Sequence, residues 1–431
     1  MLFYTCEECG EQCPSEDIWI WCKPCNARHF QQQFNSWTSG NSIVDKFIQE
    51  TQLNASDHFQ KLEWIPHELF TDVEYLSQGG YGKVYKATWK NGYIYKWNVE
   101  KKDWSRRGEL LGDTKVVLKS LFNSKEIPPE FFDEIKHQIQ SIGTKGGYKI
   151  IPCYGITKDP TTEDFMMVMR FAEEGSLRNY LNKNFLSMDW YQKLKILYGI
   201  LKGLDDIHNA GLTHRDFHSG NIVLFNFEDT CITDFGLCKP INHESSKKEH
   251  PVFGVLPYVS PEVLCKHEYT QSADIYSFGI LMNEMSTGLP PYKDIPHDIH
   301  LAMNICQGLR PHINSDITPK LFIQLTKRCW DAKPENRPTS HELKYQIGKW
   351  FGVFDSDEYD EFWSQVREIE QRQKTDSSGS NPSKSEITYT QHPQAIYKSR
   401  LLPLISNNRS QVVSADSRLI DLEIPDYDLL S

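Results

Sequence analysis

The apolar pattern changes period part-way along the chain, and this constrains the fold more than any other feature. Val73 to Leu76, Lys83 to Trp89, Tyr93 to Trp97 and Lys115 to Lys119 are short runs rich in Val, Tyr and Trp, with the turn signal Asn91-Gly92 among them. β-branched and aromatic side chains suit a pleated, half-buried surface, so these runs predict strands. From Tyr191 onward Leu194, Leu197, Leu201, Leu204 and His208 recur at three- and four-residue steps. That is the period of a helix with one buried face. A small β-rich part followed by a larger α-rich part predicts an α+β fold with two lobes.

With 431 residues the chain has room for two or three domains and needs no disulfides to make a core. Hydrophobic residues are 39% and charged residues 24%, which excludes a mainly disordered chain. The formal net charge of −11 argues against nucleic acid or an anionic membrane surface as partner. No apolar run approaches the roughly 18 residues of a membrane-spanning helix. No signal peptide is evident, and Cys153, Cys231, Cys238, Cys265, Cys306 and Cys329 are scattered singly. Reduced thiols and a cytoplasmic or nuclear location are the expectation.

Four zones are expected. Residues 1–30 are Cys-rich, 31–68 form a helical linker, 69–350 carry the main apolar density, and 351–431 hold an acidic helical segment and then a disordered tail. In the linker, Ser42 could cap a helix with Ile43, Phe47 and Ile48 on one face. In the tail, Leu401 to Ile405 could be a short docking segment. At the start, Cys6-Glu7-Glu8-Cys9 and Cys22-Lys23-Pro24-Cys25 are two C-x-x-C pairs. Two such knuckles can complete a four-sulfur zinc site, with Cys13 and His29 as possible substitute ligands. So small a module has almost no core, so its fold would depend on the metal.

The chemistry-bearing residues follow in order. Ser77-Gln78-Gly79-Gly80-Tyr81-Gly82-Lys83-Val84 follows a predicted strand, and its glycines would let backbone N–H groups approach phosphate. Lys119 ends the apolar run Val116-Val117-Leu118, and Glu134 lies on a helix opened by Pro129. Each of these has an ordinary structural explanation when taken alone. His214-Arg215-Asp216 to Asn221 sets a carboxylate and an amide five residues apart, and Asp234-Phe235-Gly236 adds a second carboxylate. Phosphoryl transfer uses such parts: one carboxylate to orient a hydroxyl, and oxygen ligands for a hard cation.

In this order the motifs resemble those of the eukaryotic protein kinases, over about residues 69–350. Ser260-Pro261-Glu262, Asp274 to Gly279, Cys329-Trp330 and Asn336-Arg337-Pro338 extend the resemblance, with Arg337 expected to pair with Glu262. The tyrosine-kinase-like group is the most similar, on Gly254 to Glu262 and Cys329-Trp330. The wording around His218 to Asn221 also resembles kinase families expanded in mycorrhizal fungi. The resemblance implies a bilobal protein-kinase-like fold, here with a zinc-ribbon-like module in front. It implies that Gly79, Gly80, Tyr81, Gly82 and Val84 cover ATP, and that Lys119, held by Glu134, contacts its phosphates. Asp216 would accept the substrate hydroxyl proton, while Asn221 and Asp234 would bind Mg²⁺. Met169 would be the gatekeeper, and Arg170, Phe171 and Ala172 the hinge against adenine. Ser245 and Ser246 are candidate phosphosites in the activation segment.

Three positions depart from the pattern. Ser77 replaces a glycine, His218 replaces a lysine, and Val255 replaces a threonine that would contact that lysine and the catalytic Asp. The last two changes belong together and loosen the assignment to Ser/Thr. The resulting expectation is an ATP- and Mg²⁺-dependent protein kinase in intracellular signalling, with Ser/Thr favoured over dual or Tyr specificity. A pseudokinase scaffold is the alternative. As a kinase it would have protein substrates and upstream kinases as partners, without nucleic acid or membrane. Residues 98–113 read as a solvent-exposed hairpin extension.

Overall fold

The structure, a computed structural model of the chain, describes residues 2–15, 21–78, 82–121, 127–143, 148–241, 251–266, 269–376 and 389–403. Gly79, Gly80, Tyr81, Ser245, Ser246 and the segment end Leu404-Ile405 lie outside the described residues. The fold is α+β, with a multi-strand sheet towards the N-terminus and a larger helical region after it.

The chain opens with a hairpin of β1 (Leu2–Thr5) and β2 (Gln12–Ser15), then α1 (Lys23–Gln33) and α2 (Ser42–Asn54). The cap of α2 is Asn41, one residue before the expected Ser42: its side chain accepts from the N–H groups of Ile43 and Val44. The buried face is Val44, Ile48 and Gln52, while Ile43 is 65% exposed. Gln52 selects this face, because its amide donates to the buried Leu62 carbonyl at 2.8 Å.

A six-stranded sheet follows, in the order β3 (Glu63–Trp64), β9 (Cys153–Lys158), β10 (Phe165–Arg170), β8 (Thr114–Leu121), β5 (Gly82–Trp89) and β4 (Phe70–Gln78). All pairs are antiparallel except β3 with β9. Strand β10 is buried on both faces, which explains its unbroken apolar run. Phe165, Met167 and Met169 pack with Val44 and Ile48 of α2 and Phe131 and Ile135 of α4 (Pro129–Gln140). Met166 and Val168 face the other way, towards Trp89, Val116 and Tyr154.

The charged excursion after β5 is a hairpin extension, exposed at residues 99–103 and 109–113, but it buries Trp104 and Ser105. It forms the hairpin β6 (Ile94–Asn98) and β7 (Asp103–Arg106), followed by the single turn α3 (Gly108–Leu111). Trp104 is buried and stacks on Phe30 of α1 with ring centroids 4.1 Å apart. Trp97 stacks on His29 at 3.6 Å, and Trp104 Nε1 donates to Gln33 at 2.9 Å. The charges of 98–107 hid Trp104, which with Trp97 anchors the N-terminal module.

The helical region comprises β11 (Gly175–Ser176), α5 (Leu177–Asn184), α6 (Trp190–Asn209), β12 (Leu212–Thr213), β13 (Ile222–Asn226), β14 (Asp229–Ile232), β15 (Lys239–Pro240) and β16 (Phe253–Gly254). It continues with α7 (Pro261–Lys266), α8 (Gln271–Thr287), α9 (Ile299–Cys306), α10 (Lys320–Cys329), α11 (Ser340–Trp350) and α12 (Asp357–Asp376). Helix α8 is buried along nearly its whole length and forms the axis of this core. Helix α12 adds Phe362, stacked on Trp350 at 4.9 Å. Residues 389–403 pack against this region, which departs from the disorder expected for most of the tail and agrees with docking at Leu401 and Leu402. They end in β17 (Arg400–Leu401), which pairs with β16. Ala395 and Leu402 supply the buried apolar surface that the polar composition concealed.

Candidate active site

Strand β8 carries Lys119 beneath β5, where Val84 is its cross-strand partner and Gly82 pairs with Leu121. Lys119 Nζ lies 2.7 Å from Glu134 Oε1 on α4 and 2.9 Å from Asp234 Oδ1 after β14. The ammonium therefore ties the sheet, α4 and the segment after β14 together. Burial alone would lower the Lys119 pKa, but the charges of Asp234 and Glu134 hold it well above the usual lysine value. For Asp234, burial acts to raise the pKa, and Lys119 overrides it and holds the carboxyl below its usual range.

Asp216 sits on the loop between β12 and β13. Asn221 Nδ2 donates to the Asp216 carbonyl at 2.9 Å and to its Oδ2 at 3.3 Å. With its amide nitrogen committed, Asn221 can offer its oxygen to a hard cation, as Asp234 can. Asp216 Oδ1 is buried without a hydrogen-bond partner. His218 Nδ1 accepts from the Gly220 N–H at 3.0 Å, so its proton sits on Nε2, 3.6 Å from Asp216 Oδ1. That distance is too long for a hydrogen bond. The buried Val255 offers no hydroxyl, so the two departures in the sequence together leave one carboxylate oxygen free.

Asp274 on α8 holds this loop from below. Its carboxylate accepts from the N–H groups of His214 at 2.9 Å and Arg215 at 3.0 Å, and from His208 Nε2 at 3.0 Å. Arg215 and Asp234 have φ of 69° and 66°, unusual for side-chain-bearing residues. Each such conformation costs about 1–3 kcal/mol and persists only where its surroundings over-determine it. The Asp274 and Lys119 contacts do so.

Met169 lies on β10 with Val117 and Cys153 as strand partners, and Ala172 packs against the same core. Arg170 turns away from the site, to Asp229 at 3.0 Å and over the Phe225 ring. Arg337 and Glu262 form a two-pronged buried ion pair at 2.7 and 2.8 Å. Sequence reasoning missed a second network. Arg178 donates to Ser219 and to the Tyr258 hydroxyl, both at 2.7 Å, and Ser219 donates to Glu284 at 2.9 Å. It joins α5, the Asp216 loop, the residues after β16 and α8. Only the adjacency of Ser219 to the Asp216 motif signalled it.

The four cysteines of the C-x-x-C pairs converge, their sulfurs all within 4.8 Å of one another. Cys6 and Cys25 are 3.9 Å apart, and Cys9 and Cys22 are 3.7 Å apart. Four thiolates around a tetrahedral zinc stand about 3.8 Å apart, so the set fits that ion. The second knuckle opens a helix, because Cys22 caps α1. Cys13 is buried beside the cluster but outside the set, and His29 bonds to Glu8 at 2.9 Å.

A sequence model described as protein tyrosine and serine/threonine kinase matches residues 70–347. The chain is 30% identical over 331 residues to "Probable serine/threonine-protein kinase roco5" of Dictyostelium discoideum, covering 73% of this chain and 11% of that protein. It is 28% identical to "Probable serine/threonine-protein kinase gdt4" of the same organism, covering 63% of this chain and 15% of the relative. It is 31% identical to "Protein kinase and PP2C-like domain-containing protein" of Arabidopsis thaliana, covering 52% and 37%. The chain thus spans a small part of these relatives, and the matches support no fungal lineage. Among the described residues no helix is long and apolar enough to cross a membrane.

Proposed function

Since the chain belongs to the protein tyrosine and serine/threonine kinase family, we propose that it transfers the γ-phosphoryl group of ATP to Ser and Thr hydroxyls of proteins. The observation that carries this reading is the Lys119 bridge to Glu134 and Asp234, with the unpartnered Asp216 Oδ1 in the loop beside it. In this reading residues 69–350 form a bilobal kinase domain with the site between sheet and helices. Lys119 positions the phosphates and Glu134 fixes Lys119. Asp234 and Asn221 offer oxygen atoms to Mg²⁺, and Met169 and Ala172 line the adenine side. Gly79 to Gly82 and Val84 cover the nucleotide. When bound, Mg²⁺·ATP supplies the phosphoryl donor and the charge neutralisation its transfer needs. Asp216 orients the acceptor hydroxyl and takes its proton on Oδ1, which accepts no hydrogen bond.

Ser/Thr preference is favoured by the names of two relatives, each called "Probable serine/threonine-protein kinase". Protein substrates, an upstream kinase and a signalling role follow the same reading, as does a structural zinc on Cys6, Cys9, Cys22 and Cys25. Labelled-ATP transfer to myelin basic protein, compared with Asp216→Asn, tests the activity. The variant should lose about 10²- to 10⁴-fold, and phosphoamino-acid analysis should find phosphoserine and phosphothreonine. Equal rates in the two proteins would overturn the reading, and phosphotyrosine alone would overturn the Ser/Thr preference.

A further inference from the structure

Residues 389–403 lie beyond the part of the chain that the family model matches, yet their placement is specific. The Leu402 N–H donates to the Val252 carbonyl at 2.8 Å, and the β17 register sets Leu401 opposite Phe253 and Arg400 opposite Gly254. Upstream, the His392 N–H donates to the Lys293 carbonyl at 2.8 Å, and the His297 N–H to the Gln394 carbonyl at 3.0 Å. The Tyr397 hydroxyl donates to the Pro291 carbonyl at 2.8 Å, and the Arg178 guanidinium lies 4.2 Å from the centre of its ring. Ala395 and Leu402 are buried, whereas Leu401 is 56% exposed.

The strand that receives this segment also stands against the Asp216 carboxylate. A Cβ added at Gly254 would be 3.6 Å from Asp216 Oδ1. Gly254 of β16 therefore has Asp216 beside it and Arg400 as its partner across the ladder. Asp216 Oδ1 is shut off from solvent and accepts no hydrogen bond. The oxygen that has to meet an acceptor hydroxyl is thus closed, and a protein segment reaches it only once its surroundings move. Strand β16 is part of those surroundings, and β17 holds it, because the two form a sheet of their own. The edge of a strand offers one row of N–H and C=O groups. Those groups go to β17 or to another extended chain, not to both.

We propose that residues 389–403 are an autoinhibitory strap. By pairing with β16 they hold it against Asp216 and keep extended protein segments from the acceptor site. The proposal rests on the kinase reading above. A segment that only steadied an open site would leave Asp216 Oδ1 reachable, and here that oxygen is closed. The strap acts on access of the protein substrate, so nucleotide binding at Lys119 is unaffected by it.

The test uses the full chain with Mg²⁺·ATP and myelin basic protein. Leu402→Asp places a charge at the buried end of the strap. Tyr397→Ala independently removes the bond to Pro291 and the contact with Arg178. Without nucleotide, hydrogen exchange should find the Arg400 to Leu402 amides protected in the wild type and exposed in Leu402→Asp. In both variants kcat/KM for myelin basic protein should rise about five- to 150-fold, the usual range of coupling between two sites. KM for ATP should stay the same. Leu401→Asp alters the exposed neighbour and should behave as the wild type. A synthetic peptide of residues 389–403 should slow the Leu402→Asp protein, in competition with myelin basic protein and not with ATP. Rates in the two variants equal to or below the wild type overturn the proposal and leave the kinase reading standing. Freely exchanging Arg400 to Leu402 amides in the wild type do the same. No transfer by any of these proteins overturns both.

Discussion

Lys119 stands between two carboxylates from different elements, so removing its charge leaves Glu134 and Asp234 facing each other. Lys119→Met should lower phosphoryl transfer about 10²- to 10³-fold in initial-rate assays, with the circular dichroism spectrum retained. Asp274 gives a test in pH. Burial acts to raise its pKa, but the hydrogen bond from His208 and the charges of His208 and His214 hold it below the usual value of 3.8. A depressed folded pKa stabilises the protein above the unfolded value, and the contribution is lost as pH falls through the folded one. The melting-temperature gap between wild type and Asp274→Asn should therefore narrow as pH falls below about 4. Lys119, Glu134, Asp216, Asn221 and Asp234 were legible in the sequence because each sits in a short run of fixed order. Arg178, Ser219, Tyr258 and Glu284 were not, since only the tertiary fold brings these four distant positions together.

The hairpin β6–β7 is an element whose sequence disguised its role. Its charged residues drew attention from Trp97 and Trp104, which face the N-terminal module. Trp104→Ala should cost about 3–5 kcal/mol of the module's attachment, seen as faster proteolysis within residues 1–36 while the sheet remains protected. Glu63 anchors the same hairpin from β3. It accepts from the Ile94 N–H at 2.9 Å, pairs with Arg106 at 2.8 Å and bonds to the buried Lys61. Glu63→Gln leaves Lys61 as a buried charge without its partner, and should lower stability by about 3–5 kcal/mol in denaturant melts. The strands themselves were legible from their β-branched and aromatic content and the Asn91-Gly92 turn signal. The α2 cap was misplaced by one residue because Asn41 and Ser42 are both good caps, and only the contact of Gln52 with Leu62 fixes the helix rotation.

At the scale of the molecule, the N-terminal sulfur cluster and the sheet are coupled through that hairpin. One zinc per chain is expected by elemental analysis. Its removal by a chelator should loosen residues 2–33 and red-shift tryptophan emission as Trp21 and Trp104 meet water. The family match ends at residue 347, yet the core continues. The Trp350 ring is covered by Phe362, Trp363 Nε1 donates to the Trp350 carbonyl at 3.0 Å, and Trp190 meets both Phe322 and Phe362. A protein cut after residue 350 would keep every motif and still uncover a contiguous aromatic face. Such faces drive self-association, so that shortened protein should scatter light and precipitate at concentrations where a version ending after α12 stays in solution.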